Sequence, residues 1–429
     1  MRNALSRPQT GKIAALDIGT TKVTCMIAEM NDKGQWHILG KGQHHARGVK
    51  SGLIVNMEEA KASIKHAVVK AEDMAGEQIS TVIASLSAGR ISSNIMPIEI
   101  PVGGDIVNNG HIKRMYAQAR SLANAQQKDG SFRHALHTIP LEYIVDSDQG
   151  IMDAKGMMAH NLVSPMHVIT ANLGAVRNLT RAIEACHLNV QGIIAAPIAS
   201  AEAVLSSEEK DLGCAIIDIG GGTTSLAVYN NGHCVYVEVL PFGGRTITSN
   251  IARILPTTLP FAEQLKTKFG SADCYNQQAY QDTWVDAPLA NDSLCAEQRR
   301  YSVNYINEII AARVEEILEE VAKRLNNPHI NKYVGKRVVI TGGGSRLKGL
   351  PQIATHKLNR EVRMATSVQG ITSNFEFDPS YCVCIGLINH AIRDTAMSNN
   401  SHLNKFDNTK FPLSISIPNF SRVRRFIGI

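Results

Sequence analysis

Ile217-Asp218-Ile219-Gly220-Gly221-Gly222-Thr223-Thr224 is the stretch on which the fold turns, because the chain carries a version of it twice. Its earlier counterpart is Ala15-Leu16-Asp17-Ile18-Gly19-Thr20-Thr21-Lys22, which places Asp17 and Asp218 201 residues apart (218 − 17). Each copy is an apolar run ending in Asp, a glycine turn with hydroxyl residues, and a second apolar run. Apolar runs of this kind read as strands covered on both faces. A hairpin built from them presents backbone N–H groups and hydroxyls to a phosphate, and glycine lets the backbone come close. A carboxylate beside phosphates is repulsive unless a cation intervenes, and Mg²⁺ bound through its waters resolves the conflict. One D-x-G-T-T is an ordinary turn. Two, in corresponding halves, predict a duplicated α/β protein with a phosphate cleft between the copies.

Outward from the first copy, strands are expected at Ile13 to Ile18, Val23 to Ala28 and near Trp36 to Leu39. A helix follows, capped by Asn56 with Glu59 three residues on, carrying Ile64, Ala67, Val68 and Ala71 on one face and stopped by Gly76. Strand Thr81 to Leu86 comes next, and strands alternating with helices indicate α/β layers. Residues 87–165 read as an insertion, with a helical patch at 111–125 and two long strand-like segments, Phe132 to Val145 and Lys155 to Val163. Pro165 then separates a further strand, Met166 to Thr170, from a helix at 174–187 and strand Val190 to Ala195. The strongest helical pattern lies within Ser293 to Leu325, where Glu319–Lys323 and Glu320–Arg324 are expected to pair at i,i+4.

A third glycine cluster, Thr341-Gly342-Gly343-Gly344-Ser345-Arg346, follows strand Val338 to Thr341 and is expected to open a helix ending near Leu358. Glycines there admit a flat group to the backbone, and a helix N-terminus favours anions. With the two hairpins, this completes a two-sided nucleotide cleft. Neither a P-loop nor a dinucleotide G-x-G-x-x-G is present.

Composition narrows the rest. The 429 residues are 44% hydrophobic and 19% charged, which fits two or three globular domains and excludes a disordered chain. Residues 1–10 hold no apolar core of a signal peptide, and the most membrane-like uncharged run, Gly192 to Ala201, is interrupted by Pro197 and too short to span a membrane. The eight scattered cysteines, with no C-x-x-C, read as reduced thiols. A net charge of +6 over this length does not argue for nucleic acid. Its distribution says more: from residue 398 onward Lys405, Lys410, Arg422, Arg424 and Arg425 face only Asp407, so the tail holds +4 of the +6.

These motifs resemble the actin/Hsp70/sugar-kinase ATPase superfamily, and within it the FtsA family of bacterial cell division. LDIGTTKV, HTIPLEYIVD, IIDIGGGTTSLAVY and VVITGGGSRLKGL carry the likeness, from Leu16 to about Ala391. The resemblance implies an actin-like ATPase fold of two duplicated RNase H-like domains around the cleft, with the FtsA-type 1C subdomain inserted. The implied division is subdomain 1A at 1–86 and 166–187 with a closing segment at 365–396, subdomain 1C at 87–165, 2A at 188–242 and 309–364, and 2B at 243–308. A linker at 397–417 and an amphipathic helix at 418–429 would follow.

The same resemblance implies ATP and Mg²⁺ as cofactors. Asp17, Gly19, Thr20, Thr21, Lys22, Asp218, Gly220, Gly221, Gly222, Thr223 and Thr224 would surround the phosphates. Asp17 and Asp218 would reach the metal through water. Glu263 and Lys266, in FAEQLK, are similar to the E-x-x-K pair at ribose and adenine, and Gly342, Gly343, Gly344 and Arg346 would border the base. Chaperone and MreB-like relatives carry E-P-x-A-A-A, whose Glu orients the attacking water; here Ala196 stands at that position. Losing such help costs about 10²–10⁴-fold in rate, so at most a weak ATPase is expected, and no catalytic residue is assigned.

By resemblance the protein is a scaffold: it polymerises with itself, tethers the FtsZ ring to the cytoplasmic face of the inner membrane at mid-cell, and recruits later division proteins through subdomain 1C. The FtsZ C-terminal tail would dock on 2B, near Arg299, Arg300 and Glu308. The chain's last residues supply a membrane device. At about 100° per residue, Phe420, Val423, Phe426 and Ile427 share one arc, with Arg422, Arg424 and Arg425 across or beside it. A basic amphipathic helix on a flexible tether binds an anionic lipid surface. Each partly buried apolar side chain contributes roughly 1–2 kcal/mol and each arginine about 1 kcal/mol, offset by helix ordering, so a single anchor is reversible. Two alternatives remain open at this level, an actin-like pilus-assembly scaffold and a sugar-kinase-type phosphotransferase, although no catalytic Asp for the latter stands out.

Overall fold

Two five-stranded sheets with one strand order form the body of the molecule. In the first, hairpin strands Lys12–Ile18 and Lys22–Met30 are antiparallel, Trp36–His45 extends them on one side, and Thr81–Leu86 and Asn189–Ala195 add in parallel on the other. The second repeats this with Cys214–Ile219, Thr224–Asn230 and His233–Leu240, then Arg337–Thr341 and Glu361–Met364 in parallel. The duplication glimpsed in two octapeptides therefore extends to whole sheets. This computed structural model describes residues 11–31, 35–87, 90–124, 132–273, 283–288, 298–371 and 376–400, with 298 and 395–400 by backbone alone.

Parallel neighbours require crossovers, and helices supply them. Helix Met57–Ala75 leads into Thr81–Leu86; Asn56 Oδ1 accepts from Glu59 N at 3.3 Å, and Gly76 ends the helix with φ 72°. Alternation along Cys214–Ile219 sorts its side chains into two cores. Cys214 and Ile216 join the core shared with the first sheet, whereas Ala215, Ile217 and Ile219 face the helices of the second half. The halves are joined by two crossing helices, Ala196–Val204 and Cys382–Asn400. A Cβ on Gly386 would stand 1.6 Å from the Ala199 carbonyl oxygen, so the helices touch backbone to backbone and only glycine fits there.

The insertion has its own core, built on Ile98, Met115, Leu162 and Met166. Its sheet differs from the expected strands. Phe132 to Val145 is broken into Arg133–Pro140 and Tyr143–Val145, and one strand, Asn161–Asn172, runs straight through Pro165. A central strand ordinarily excludes proline because the ladder needs its N–H. Here the Pro165 carbonyl accepts from Leu141 N at 3.1 Å, so the side of Pro165 lacking a donor faces the Pro140–Glu142 break. Residues 155–160 belong to a connecting turn, not a strand. Ser93 Oγ donates to the Val237 carbonyl at 3.1 Å and accepts from Val237 N at 2.8 Å, which ties the insertion to the edge of the second sheet.

Other expectations are corrected locally. The long helix is Val303–Leu325, capped by Ser302; residues Gln298–Ser302 instead form a strand paired with Trp284–Pro288. Arg324 pairs with Glu320 as expected, but Lys323 also turns to Glu320, at 2.6 Å, because Lys357 of a neighbouring helix takes Glu319 at 3.2 Å. The helix after the third glycine cluster begins at Leu350, so the glycines form a separate 3-10 turn and not its N-terminus. Among the described residues no helix is long and apolar enough to cross a membrane. Phe420, Arg422, Val423, Arg424, Arg425, Phe426 and Ile427 lie outside the described residues.

Candidate functional site

The two hairpins meet tip to tip between the halves. Each closes in the same way, with Gly19 N donating to the Lys22 carbonyl at 3.0 Å and Gly220 N to the Thr223 carbonyl at 2.9 Å. Pairing of Ile18 with Val23 and of Ile219 with Thr224 leaves four turn residues in each. Asp17 and Asp218 occupy equivalent rungs, opposite Thr24 and Ser225. The cleft between them is lined by Asp17, Gly19–Lys22, Asp218, Gly220–Thr223 and Gly342–Gly343, with Ala196 on its wall.

Both carboxylates are held by serine hydroxyls. Ser85 Oγ, on a strand beside Asp17, donates to Asp17 Oδ1 at 2.5 Å; Ser200 Oγ, on the helix that crosses from the first half, donates to Asp218 Oδ2 at 2.5 Å. Burial raises both pKa values, that of Asp218 to about 6; Asp17 adds to this by repulsion, while the Ser200 bond and Lys22 oppose it. The Lys22 pKa is lowered by burial, against the pull of Asp17 and Asp378. Two enclosed carboxylates short of positive charge, hard oxygen donors on both sides of one cleft, fit a hydrated Mg²⁺. The third cluster approaches closely as well: a Cβ on Gly342 would lie 2.2 Å from Asp218 Oδ1.

Several sequence candidates sit beside the cleft and not on it. Thr224 is buried and donates to the Phe242 carbonyl at 2.8 Å, which fixes the exit of the second hairpin. Gly344 packs on Ile219, and Arg346 reaches Asp378 at 3.3 Å. Glu263 and Lys266 pair at 2.7 Å on helix Leu259–Phe269 and share Thr248. Lys266 Nζ also donates to the Gly244 carbonyl at 3.2 Å, and Gly244 N donates to the Gly220 carbonyl at 2.9 Å, so the pair stands one link behind the second hairpin. Sequence reasoning missed Ser85, Ser200, Ser87 and Ser380. Isolated serines carry no local signal; strand register and the helix crossing bring Ser85 and Ser200 to the carboxylates, while Ser87 and Ser380 line the cleft.

Arg299 and Arg300 are exposed on their strand, and Glu308 is exposed on the long helix. The Arg300 guanidinium lies 5.7 Å from the Trp284 ring centroid, and Trp284 and Tyr305 are 51% and 42% exposed. These two aromatics also escaped the sequence reading.

Paired sheets of one order around a hairpin cleft, with an inserted α/β subdomain, define the class: an actin-like ATPase fold. Solved structures agree on the fold. A PilM-PilN type IV pilus biogenesis complex matches with TM-score 0.62 at 18% identity, covering 90% of this chain and 99% of that one. MreB5 of Spiroplasma citri bound to ADP matches with TM-score 0.53 at 16% identity, covering 92% and 99%. Within that class the chain belongs to the FtsA family of cell division proteins. The sequence model of cell division protein FtsA matches residues 215–386, and that of the SHS2 domain inserted in FtsA matches 88–170. Cell division protein FtsA of Agrobacterium fabrum is 36% identical over 370 residues, 84% of this chain and 82% of that protein. The Escherichia coli K12 protein is 28% identical over 401 residues, 91% of each.

Proposed function

We propose that this division protein binds ATP with Mg²⁺ in the hairpin cleft and serves as an assembly scaffold. The observation that carries the reading is the pair of equivalent Asp–Gly hairpins facing one another across the cleft with Lys22 between them. Support comes from the Spiroplasma citri neighbours, which hold ADP and AMPPNP. Asp17 and Asp218 would hold the hydrated metal, the turn N–H groups and Lys22 the phosphates, and Glu263 and Lys266 the sugar side. Gly342–Gly344 and Arg346 would flank the base. Bound Mg²⁺ supplies charge neutralisation for the polyphosphate. Ala196, 2% exposed on the cleft wall, offers no acceptor to orient water, so turnover is slow and the ligand acts through assembly.

Membrane attachment belongs to residues 418–429, and many anchors on one filament bind persistently where one does not. The strand bearing Arg299 and Arg300, with Trp284, Tyr305 and Glu308 near it in sequence or across the ladder, is the docking face proposed for the FtsZ tail. The insertion, read as subdomain 1C within the division of the chain given above, meets later division proteins. These roles place the protein on the cytoplasmic face of the inner membrane at mid-cell. The decisive experiment images a tagged copy in dividing cells with and without residues 418–429. A mid-cell band lost on truncation, with unchanged MgATP binding by the purified protein, is the expected result; a band that survives truncation overturns the anchor.

A further inference from the structure

Lys22 does not point freely into the cleft. Its ammonium group donates to Ser380 Oγ at 2.6 Å and lies 4.1 Å from the centroid of the Tyr381 ring. Lys41 covers the same ring at 4.6 Å, and the Tyr381 hydroxyl donates to Gln43 Oε1 at 2.7 Å. These contacts fasten one end of the segment Asp378–Tyr381 to the first half. Its other end is fastened to the second half, because Asp378 Oδ2 holds Arg346 of the third glycine cluster at 3.3 Å. Inside the segment Ser380 N donates to Asp378 Oδ1 at 2.9 Å, so both fastenings bear on one short turn. Pro379, Ser380 and Val383 line the same cleft as Lys22, and the turn runs directly into the crossing helix Cys382–Asn400.

A neutral hydroxyl and a ring face hold an ammonium group less firmly than anionic oxygens do. A polyphosphate entering the cleft therefore competes for Lys22 with the strap that now holds it. We propose that Ser380 and Tyr381 are positioning residues that latch Lys22, and that a polyphosphate ligand opens the latch and so reports its presence to the crossing helix. The inference rests on the nucleotide reading above and adds to it a coupling element. Contacts that must break on binding subtract from affinity. Weakening the latch consequently tightens ligand binding, which is opposite to the effect of distorting the cleft or of removing a ligand contact.

The test titrates the full-length chain with MgATP by calorimetry and follows amide hydrogen exchange over residues 378–388. Ser380→Ala is expected to bind about three- to tenfold more tightly than wild type, the span of one modest hydrogen bond. Ser380→Thr keeps the hydroxyl and should keep wild-type affinity. Exchange over the strap should quicken when MgATP is added to wild type, and should already be fast in ligand-free Ser380→Ala. Tyr381→Phe, which retains the ring and loses only the Gln43 bond, should lie between the two. Unchanged or weaker binding by Ser380→Ala, or strap exchange in wild type that slows or ignores the ligand, overturns the latch alone. A wild-type chain that fails to bind MgATP overturns the nucleotide reading and the latch with it.

Discussion

The two hairpins share a backbone and divide the chemistry. The first turn brings side chains, Thr20, Thr21 and Lys22; the second brings three bare glycines. The reason lies in their contact. A Cβ on Gly221 would stand 2.4 Å from Thr21 Cγ2, and one on Gly222 would stand 2.3 Å from Thr20 Oγ1. The threonines of one copy occupy the room that the glycines of the other leave. Their carboxylates differ too, since Asp17 is held within its own sheet by Ser85 whereas Asp218 is held by Ser200 from across the molecule. Duplication thus fixed the backbone, and close approach forced the copies apart in sequence.

The largest way to break the comparison is Asp218→Asn. Removing the charge should weaken MgATP binding about 10–100-fold by calorimetry while raising the ligand-free melting temperature, because the carboxylate is enclosed at a cost. If binding is unchanged, the second hairpin is not the metal side.

The cost has a pH signature. The folded pKa of Asp218, about 6, lies above its unfolded value of 3.8, so the folded state binds the extra proton. Stability from this group is full below about pH 4 and is lost as pH rises to about 6. His137 and His390, driven down to about 3 by burial, and His167, driven to about 4, pull the wild-type curve the other way. The informative quantity is therefore the difference between wild type and Asp218→Asn: near zero below pH 4, and about 2–3 kcal/mol in favour of the variant above pH 6, by denaturant melts. A flat difference would mean that Asp218 is not strained by its site.

A smaller effect sharpens the contact itself. Gly222→Ala should cost about 1–3 kcal/mol through overpacking against Thr20, and adding Thr20→Gly should recover part of it. Strict additivity in that double-mutant cycle would refute the tip-to-tip contact. The smallest effect belongs to Glu263→Gln. Behind the hairpin and half exposed, this change should weaken MgATP binding only about twofold to fivefold, within the range of a surface ion pair.

Much of this was legible in the residues. Asp17, Asp218 and the glycines announced the cleft because a duplicated pattern of that kind has few other uses, and the Asn56 cap and Gly76 stop bounded their helix by local chemistry alone. Arg299 and Arg300 fall inside the segment Ser293 to Leu325 that the helical pattern covers, but strand Gln298–Ser302 owes its form to pairing with Trp284–Pro288, which no local pattern shows. Pro165 misled for a similar reason: its tolerance depends on a gap in a neighbouring strand.

By itself the sequence determined the strands, the two turns and the carboxylates at their ends, since these follow from short-range patterning and the conformational freedom of glycine. Only the tertiary structure decided which groups serve them. Ser85, Ser200 and Ser380 reach Asp17, Asp218 and Lys22 across separations of 68, 18 and 358 residues. Side-chain hydrogen bonds act over about 3 Å in space and carry no trace of distance along the chain.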